Sequence, residues 1–308
     1  MFQDKIKQVV LWGHKLHTHT HSYIHGAFYK AFSFLGYKTL WLDNLDNISN
    51  INFEETLFIT EGQVDTNIPI RSDCYYVIHN CDGKKYESIL KKNKFTLQVY
   101  THDVIKKHGG KKIEGHEGAF YIDDCLFIVW GTDLLPQEIN FNIEKVKNDE
   151  IISQNEINFI GMKTEEWGKV QSFCNRFKIP FRESGGFQNN IDYYQNMRLI
   201  QQSIIAPAIQ TKWQVDNGYV PCRIFKNISY GKMGLTNNIT VLKLFNNNII
   251  YHPDIDSLLV NGLNFEKTNK EEKKEIIVKN MEYVRDNHTY LNKIETIFWF
   301  FNNVNVNS

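Results

Sequence analysis

The sequence predicts an α/β protein made of two Rossmann-like, doubly wound domains. Short apolar segments alternate with longer polar or amphipathic segments through the first half of the chain, which is typical of a parallel sheet covered by helices. The length of 308 residues exceeds that of a typical single domain, about 100–200 residues. A second series of strand, glycine and helix begins near residue 157. These observations favour one α/β domain in each half of the chain.

The first half contains six predicted strands. They are expected at residues 9–12, 39–42, 56–60, 74–78, 96–100 and 126–129. The amphipathic segment 22–35 predicts a helix between the first two strands, and Gly36 would end it. After Trp130, the run GTDLLPQEIN has no clear period and contains Pro136, which favours a crossover between domains. We therefore expect the first domain to span residues 1–135.

The second half contains a further set of predicted strands and helices. Strands are expected at 157–160, 180–182 and 232–236, with a weak strand or loop at 206–209. Helices are expected at 165–177, 190–203, 221–230, 270–287 and 288–302. The last helix has apolar residues on one face, which suits packing against a domain. We expect a second domain over 136–285 and a C-terminal helix, within 286–308, that returns to the first domain.

The helix predicted at 221–230 is the strongest indication of a binding site. Pro221 suits a helix start, and Gly231 suits the left-handed residue that ends a helix. Arg223 and Lys226 lie in its first two turns, close to backbone N–H groups that already present positive potential. Such an arrangement favours a phosphate, and arginine can bind one in bidentate fashion. A solvated helix face is the simpler alternative.

Two further strand ends in the second half could contribute to the same site. Gly161 follows the first strand of this half, where a glycine allows the backbone to approach a phosphate, and Lys163 could share the diphosphate. Thr236 and Asn237 follow the strand after the helix and could bind diphosphate, ribose or sugar. An ordinary turn is the alternative at both places.

These residues resemble a known family. The pattern P-x-R-x-F-K-x-x-x-x-G, from Pro221 to Gly231, followed by a strand ending in Thr-Asn, resembles the donor-binding part of GT-B glycosyltransferases, especially the spore-maturation-like and large-DNA-virus-like members. The strand Asn-Ile-Ile-Tyr near residue 250 and the segment His-Thr-Tyr-x-x-Lys near residue 290 extend the resemblance. Lys226 stands where many of these enzymes have a glutamate, so their carboxylate contact to the donor is not expected here.

The resemblance implies a fold and an activity. It implies two Rossmann-like domains that face a cleft, with a nucleotide-sugar donor on the second domain and an acceptor on the first. A sugar would pass from a UDP- or GDP-linked donor to a glycan or another hydroxyl acceptor. Enzymes of this type commonly need no metal and no tightly bound cofactor, and no D-x-D motif lies in a strand-end loop of this chain.

The first half offers candidates for the catalytic base. The run WGHKLHTHTHSYIH carries five histidines after the first strand, and so dense a group should keep at least one imidazole neutral near pH 7. The resemblance places this loop beside the acceptor, with His14 or His19 slightly favoured as the base. Glu61 or Asp103, each after a predicted strand, would be the carboxylate base of an inverting mechanism. Capping a helix or a turn is an equally good role for each. His79, Asn80 and His102 also follow strands.

Composition excludes several classes of function. Lysine plus arginine and aspartate plus glutamate both number 35, so no global field favours nucleic acid. Five cysteines without a C-x-x-C pair favour reduced thiols and a cytoplasmic protein. The N-terminal segment resembles a first strand more than a signal peptide, and no segment has the roughly 20 apolar residues of a membrane span. Any membrane contact would therefore be peripheral.

Two other functions fit parts of the sequence. The HTHTH run could open a metal-dependent hydrolase, with His79, His102 and Asp103 completing a zinc site, but that fold needs eight repeated strand–helix units. A non-catalytic protein that binds sugar nucleotides or glycans is the other alternative, motivated by Lys226 in place of the usual carboxylate.

Overall fold

The computed structural model describes residues 1–15, 20–80, 83–99, 102–161, 164–184 and 192–304. Backbone contacts divide the chain into two compact units. Unit 1 comprises Met1–Val99, Ile105–Ile128 and Tyr290–Ser308, and unit 2 comprises Tyr100–Val104 and Val129–Thr289. The chain thus changes unit near residues 99, 104, 128 and 289, whereas the domain limits expected from the sequence are 135 and 285. Within the described residues, no helix is both long enough and apolar enough to cross a bilayer.

Unit 1 contains a mixed sheet of eight strands. Its strands are β1 Gln8–Trp12, β2 Lys38–Leu42, β3 Thr56–Glu61, β4 Tyr75–His79, β5 Lys94–Gln98, β6 Lys111–Lys112, β7 Ala119–Ile122 and β8 Cys125–Ile128. The spatial order is β2-β1-β3-β4-β5-β8-β7-β6, and the antiparallel pairs are those of β7 with β6 and with β8. The order 2-1-3-4-5 is that of a doubly wound sheet, whose switch point lies between β1 and β3.

The central strands of unit 1 are buried on both faces. Every residue of β1 and β3 is buried, which explains why these segments are continuous apolar runs without alternation. One face packs aromatic residues against segments between the strands, with Phe58 stacked on Tyr76. The helices of this unit are α1 Thr20–Phe34 and α11 Tyr290–Asn303, and helix α2, His102–Lys107, spans the change from unit 2 to unit 1 at Ile105. The C-terminal helix α11 packs against α1, where Tyr290 meets the ring of Phe28.

Unit 2 has shorter strands and more helices. Its strands are β9 Ile157–Ile160, β10 Phe181–Ser184, β11 Pro207–Ala208, β12 Leu235–Thr236 and β13 Ile250–Tyr251. All pairs are parallel, β10 with β9 and β12 between β11 and β13. Its helices are α3 Pro136–Lys147, α4 Glu165–Phe177, α5 Tyr193–Gln202, α6 Lys212–Asp216, α7 Cys222–Ser229, α8 Ile239–Leu244, α9 Ile255–Glu266 and α10 Lys270–Asn287. The α/β class predicted from sequence is therefore confirmed.

The structure corrects several predicted elements. The stretch around Pro136, interpreted as an irregular crossover, is helix α3, because Pro136 occupies its first turn and the Glu138 side chain accepts from the Leu135 N–H at 2.7 Å. The helix expected at 221–230 begins one residue later, with Pro221 as its extended N-cap, and Gly231 has the expected positive φ of 95°. Only the last two residues of the strand expected at 232–236 pair with neighbours.

Candidate functional site

The Arg223 side chain lies at the carboxyl ends of two strands of unit 2. Its guanidinium packs directly on Gly161 at the end of β9, and a side chain at Gly161 would overlap the Nη2 atom. Gly161 also has a φ of 147°, which residues with a side chain rarely adopt. The guanidinium carbon lies 4.7 Å from the centre of the Phe159 ring, and Nη1 donates to the Ile209 carbonyl at 3.5 Å. The structure thus brings together two candidates that are 62 residues apart in sequence, 223 minus 161.

The charge of Arg223 has no anionic partner in the described part of the chain. No carboxylate among those residues lies within 4.0 Å of its guanidinium nitrogens. Burial lowers the pKa of this guanidinium, because its surroundings have displaced water that would otherwise stabilise the charge. A partly buried cation balanced only by a carbonyl and an aromatic face is well suited to receive an anion.

Lys226 lies one turn further along α7, and its charge is balanced differently. Burial lowers the pKa of its ammonium, while the negative charge of Asp133 acts in the opposite direction. Asp133 is itself buried and accepts from the Tyr230 hydroxyl at 2.8 and 2.9 Å. Asp133 therefore offsets part of the positive charge that Lys226 adds. Sequence analysis missed Asp133, because it follows β8 in a stretch without a recognisable motif.

The N-termini of α7 and α4 differ as anion sites. At α7, no side chain caps the helix and no acidic residue occupies the first turn. Within the described residues, no hydrogen bond uses the backbone N–H of Arg223. At α4, by contrast, Thr164 caps the Trp167 N–H at 3.3 Å, and two glutamates occupy the first turn. The start of α7 therefore suits an anion better than the start of α4.

Thr236, the last residue of β12, and Asn237, which follows it, are buried and form hydrogen bonds with the backbone. The Asn237 side chain pairs with the backbone of Gln210, accepting from its N–H at 2.9 Å and donating to its carbonyl at 2.9 Å. The Thr236 hydroxyl oxygen accepts from the Asn238 N–H at 3.2 Å. The two bonds between Asn237 and Gln210 join the loops after β11 and β12, next to Ile209, whose carbonyl accepts from Arg223. A direct role of Thr236 or Asn237 toward a ligand stays a prediction, and Lys163 lies outside the described residues.

In unit 1, the structure pairs two of the predicted catalytic residues. His14 follows β1 and Glu61 ends β3, and these strands are neighbours at the switch point of the sheet. The His14 Nε2 atom and the Glu61 Oε2 atom form a short hydrogen bond. Both residues are buried, with 5% and 4% of their surface exposed. His14 has a positive φ of 60°, which turns the chain sharply after the strand.

Neighbouring groups fix this pair in place. The Asn80 amide donates to the second Glu61 oxygen, Oε1, at 2.6 Å. The Trp41 indole donates to the Gly13 carbonyl at 3.0 Å, and the His25 Nδ1 atom lies 2.9 Å from the same carbonyl. The His14 and His25 rings lie 5.4 Å apart. Unit 1 therefore presents a buried imidazole and carboxylate, a combination that can accept a proton and stabilise the charge that results.

The other predicted catalytic residues are not placed by the structure. His19 lies outside the described residues. Asp103 falls in the first turn of α2, but its side chain is outside the described set, so its role stays a prediction. Among the residues that the structure does describe, no three histidine, cysteine, aspartate or glutamate side chains are grouped to hold a metal. The sheet of unit 1 is also not the closed parallel barrel that the hydrolase alternative requires.

Comparisons with solved structures give a distant likeness of fold. No protein-family model matches the chain, and no curated protein matches it. Among solved structures, the chain is similar to the crystal structure of alpha,alpha-trehalose 6-phosphate synthase from Burkholderia multivorans. The identity is 10% and the TM-score 0.42, over 92% of this chain and 74% of that one. A likeness at this TM-score carries no argument about activity.

Proposed function

We propose that the protein is a metal-independent glycosyltransferase of the GT-B type that uses a UDP- or GDP-linked sugar. The donor diphosphate would bind unit 2 at Arg223, and the sugar would pass to a hydroxyl of a glycan or another acceptor. The proposal rests above all on one observation, the Arg223 guanidinium held on Gly161 without an anionic partner in the described chain. No tightly bound cofactor is part of the proposal.

The chemistry of the leaving group supports a cation at this place. Transfer from a nucleotide sugar breaks the bond between the sugar and the diphosphate, which departs as an anion that needs stabilisation. A guanidinium can donate two parallel hydrogen bonds to phosphate oxygens, and the start of α7 adds unpaired N–H groups. Lys226 would contribute less, since Asp133 already offsets part of its charge.

The acceptor hydroxyl needs a base, and the pair in unit 1 could supply it. The His14 imidazole would take the hydroxyl proton as the oxygen attacks the anomeric carbon, and the Glu61 carboxylate would stabilise the imidazolium. His19 and Asp103 remain the other candidates for this role.

Nucleotide binding by an Arg223→Ala variant tests the donor site. UDP, GDP, CMP and dTDP would be compared by thermal shift and calorimetry, and we expect UDP or GDP to stabilise the wild type most. Loss of charge-assisted bonds worth about 1.5–3 kcal/mol should weaken binding by roughly 10-fold to 100-fold. The control is Arg176→Ala, which removes an exposed arginine of the same unit that pairs with Asp256.

Two results would count against the proposal. Equal affinity of Arg223→Ala and the wild type for every nucleotide would contradict the proposal that the donor binds at Arg223. Binding without any release of sugar from UDP- or GDP-sugars, with or without acceptors, would favour the non-catalytic binding protein. Slow donor hydrolysis by the wild type, lost in Arg223→Ala, is the expected result.

A further inference from the structure

The Glu61 carboxylate uses each of its oxygens for a different neighbour. Oε2 pairs with the His14 Nε2 atom, and Oε1 accepts from the Asn80 Nδ2 atom at 2.6 Å. Asn80 directly follows β4, the strand next to β3 in the sheet. Two donors from different strands therefore hold one carboxylate, which fixes both its position and its rotation.

Asn80 is itself held by the next strand. Its backbone N–H donates to the Leu97 carbonyl at 3.2 Å, and its carbonyl accepts from the Gln98 side-chain amide. Its φ of 71° lies in the left-handed region, which asparagine tolerates better than most residues. A continuous series of hydrogen bonds thus runs from Gln98 through Asn80 and Glu61 to His14, across the carboxyl ends of β5, β4, β3 and β1.

This series bears on which imidazole nitrogen carries a proton. An ionised carboxylate has no hydrogen to donate, so a hydrogen bond to it requires a proton on the His14 Nε2 atom, and in a neutral imidazole the lone pair then lies on Nδ1. We propose that Asn80 is a positioning residue, which orients Glu61 and thereby holds His14 in the tautomer with the proton on Nε2. The inference rests on the proposed function in one respect, that Nδ1 would then be the atom that takes the proton of the acceptor.

Other contacts hold the His14 backbone independently of Asn80. The Ser22 hydroxyl donates to the His14 carbonyl at 2.7 Å, and Trp41 anchors the preceding Gly13. Loss of the Asn80 amide should therefore leave the imidazole near its place while removing one of the hydrogen bonds that orient the carboxylate. Among the described residues, the titratable groups next to the pair are His25, from α1, and His79, which lies opposite Glu61 in the register of β4 and β3. Both are buried.

An Asn80→Gly variant tests the inference with little backbone strain, since glycine accepts a positive φ. The matched control is Asn247→Gly, which changes an exposed asparagine with a φ of 61° in unit 2. Histidine labelled with ¹⁵N would report the tautomer by NMR, and the His14 signals would be those missing in His14→Asn. This measurement needs neither donor nor acceptor.

We expect the wild type and Asn247→Gly to show a protonated Nε2 and an unprotonated Nδ1 at neutral pH. Asn80→Gly should show averaged nitrogen shifts from a mixture of tautomers. Gln98→Met, which keeps the side-chain length but removes the donor to Asn80, should give a smaller change in the same direction. Identical His14 shifts in the wild type and Asn80→Gly, or a wild type protonated at Nδ1, would overturn the inference.

Activity then separates this inference from the proposed function. If the wild type transfers sugar, Asn80→Gly should lower kcat by roughly 10-fold to 100-fold, as expected for a misplaced catalytic group, with little change in donor KM. An unchanged kcat would overturn the role of Asn80 in the reaction. A wild type that neither transfers nor hydrolyses any donor would instead overturn the proposed function, and the NMR result would still decide the tautomer.

Discussion

The two units place different kinds of polar groups at the carboxyl ends of their strands. At the carboxyl ends of β1 and β3 in unit 1, an imidazole and a carboxylate are hydrogen-bonded to each other, and an amide donates to the second carboxylate oxygen. At the carboxyl ends of β9 and β11 in unit 2, a guanidinium meets only a glycine, an aromatic ring and a carbonyl within the described residues. In unit 1 these polar groups are hydrogen-bonded to one another, whereas in unit 2 the guanidinium charge is available to a ligand.

In both units the strands determine where the polar groups lie, and residues outside the strands determine which polar groups these are. Parallel strands bring the residues after their carboxyl ends to one edge of the sheet, whatever the types of those residues. In unit 1 these residues include a histidine and an asparagine in left-handed conformations. In unit 2 the charged group comes from the first turn of α7, and the strand end provides only the glycine on which it lies. The two edges should therefore respond differently to substitution.

The largest expected effect is the loss of stability when the hydrogen bonds of Glu61 to His14 and Asn80 are removed. Glu61→Ala would leave the His14 Nε2 and Asn80 Nδ2 donors without their acceptor in a buried site, which should lower the free energy of unfolding by about 2–3 kcal/mol. Urea unfolding followed by circular dichroism measures this change. The control Glu54→Ala, on an exposed loop, should stay within about 0.5 kcal/mol of the wild type. A loss below about 0.5 kcal/mol for Glu61→Ala would mean that the pair is not held as the structure shows.

The next effect concerns the glycine under Arg223. Gly161→Ala introduces a methyl group where Nη2 lies and forces alanine into a φ of 147°, at a cost of roughly 1–3 kcal/mol in the free energy of unfolding. The displaced guanidinium should also bind UDP or GDP more weakly. Gly168→Ala is the matched control, because its side chain would enter open space on helix α4. That change should stabilise the protein by about 0.5–1 kcal/mol without affecting binding. Unchanged nucleotide affinity in Gly161→Ala would show that Gly161 is not part of the nucleotide site.

The smallest effect is expected at Lys226. Lys226→Met should weaken nucleotide binding by less than roughly threefold at neutral pH, since the Asp133 charge already offsets this cation. Burial lowers the pKa of Lys226, so its ammonium loses its proton at a lower pH than an exposed lysine would. The cation is present below that pKa, and its attraction for a diphosphate disappears as the pH rises through it.

Calorimetry as a function of pH checks the sign of this dependence. Wild-type affinity for UDP or GDP should fall toward higher pH, and Lys226→Met should show a flatter profile. A loss of roughly tenfold in Lys226→Met at neutral pH would instead rank Lys226 beside Arg223. That result would mean that Asp133 does not offset its charge.

Much of the fold follows from local patterns in the sequence. The central strands of unit 1 were predictable because they are buried on both faces and therefore read as uninterrupted apolar runs. Helix α4 has the predicted bounds, since an N-terminal threonine cap and an amphipathic period mark it. The short strands β6 and β7 were not predicted, because an antiparallel edge of two to four residues leaves little periodic signal.

The candidate site residues were likewise predictable from the sequence only in part. The sequence by itself determined that Arg223 would lie at a helix start and that polar residues would follow the parallel strands, because capping and strand direction are local properties. Only the tertiary structure joined His14 to Glu61, 47 positions away. It also brought Asp133 close enough to influence the charge of Lys226. Such pairings depend on strand order and on the burial of both partners, and neither is encoded in the spacing of residues along the chain.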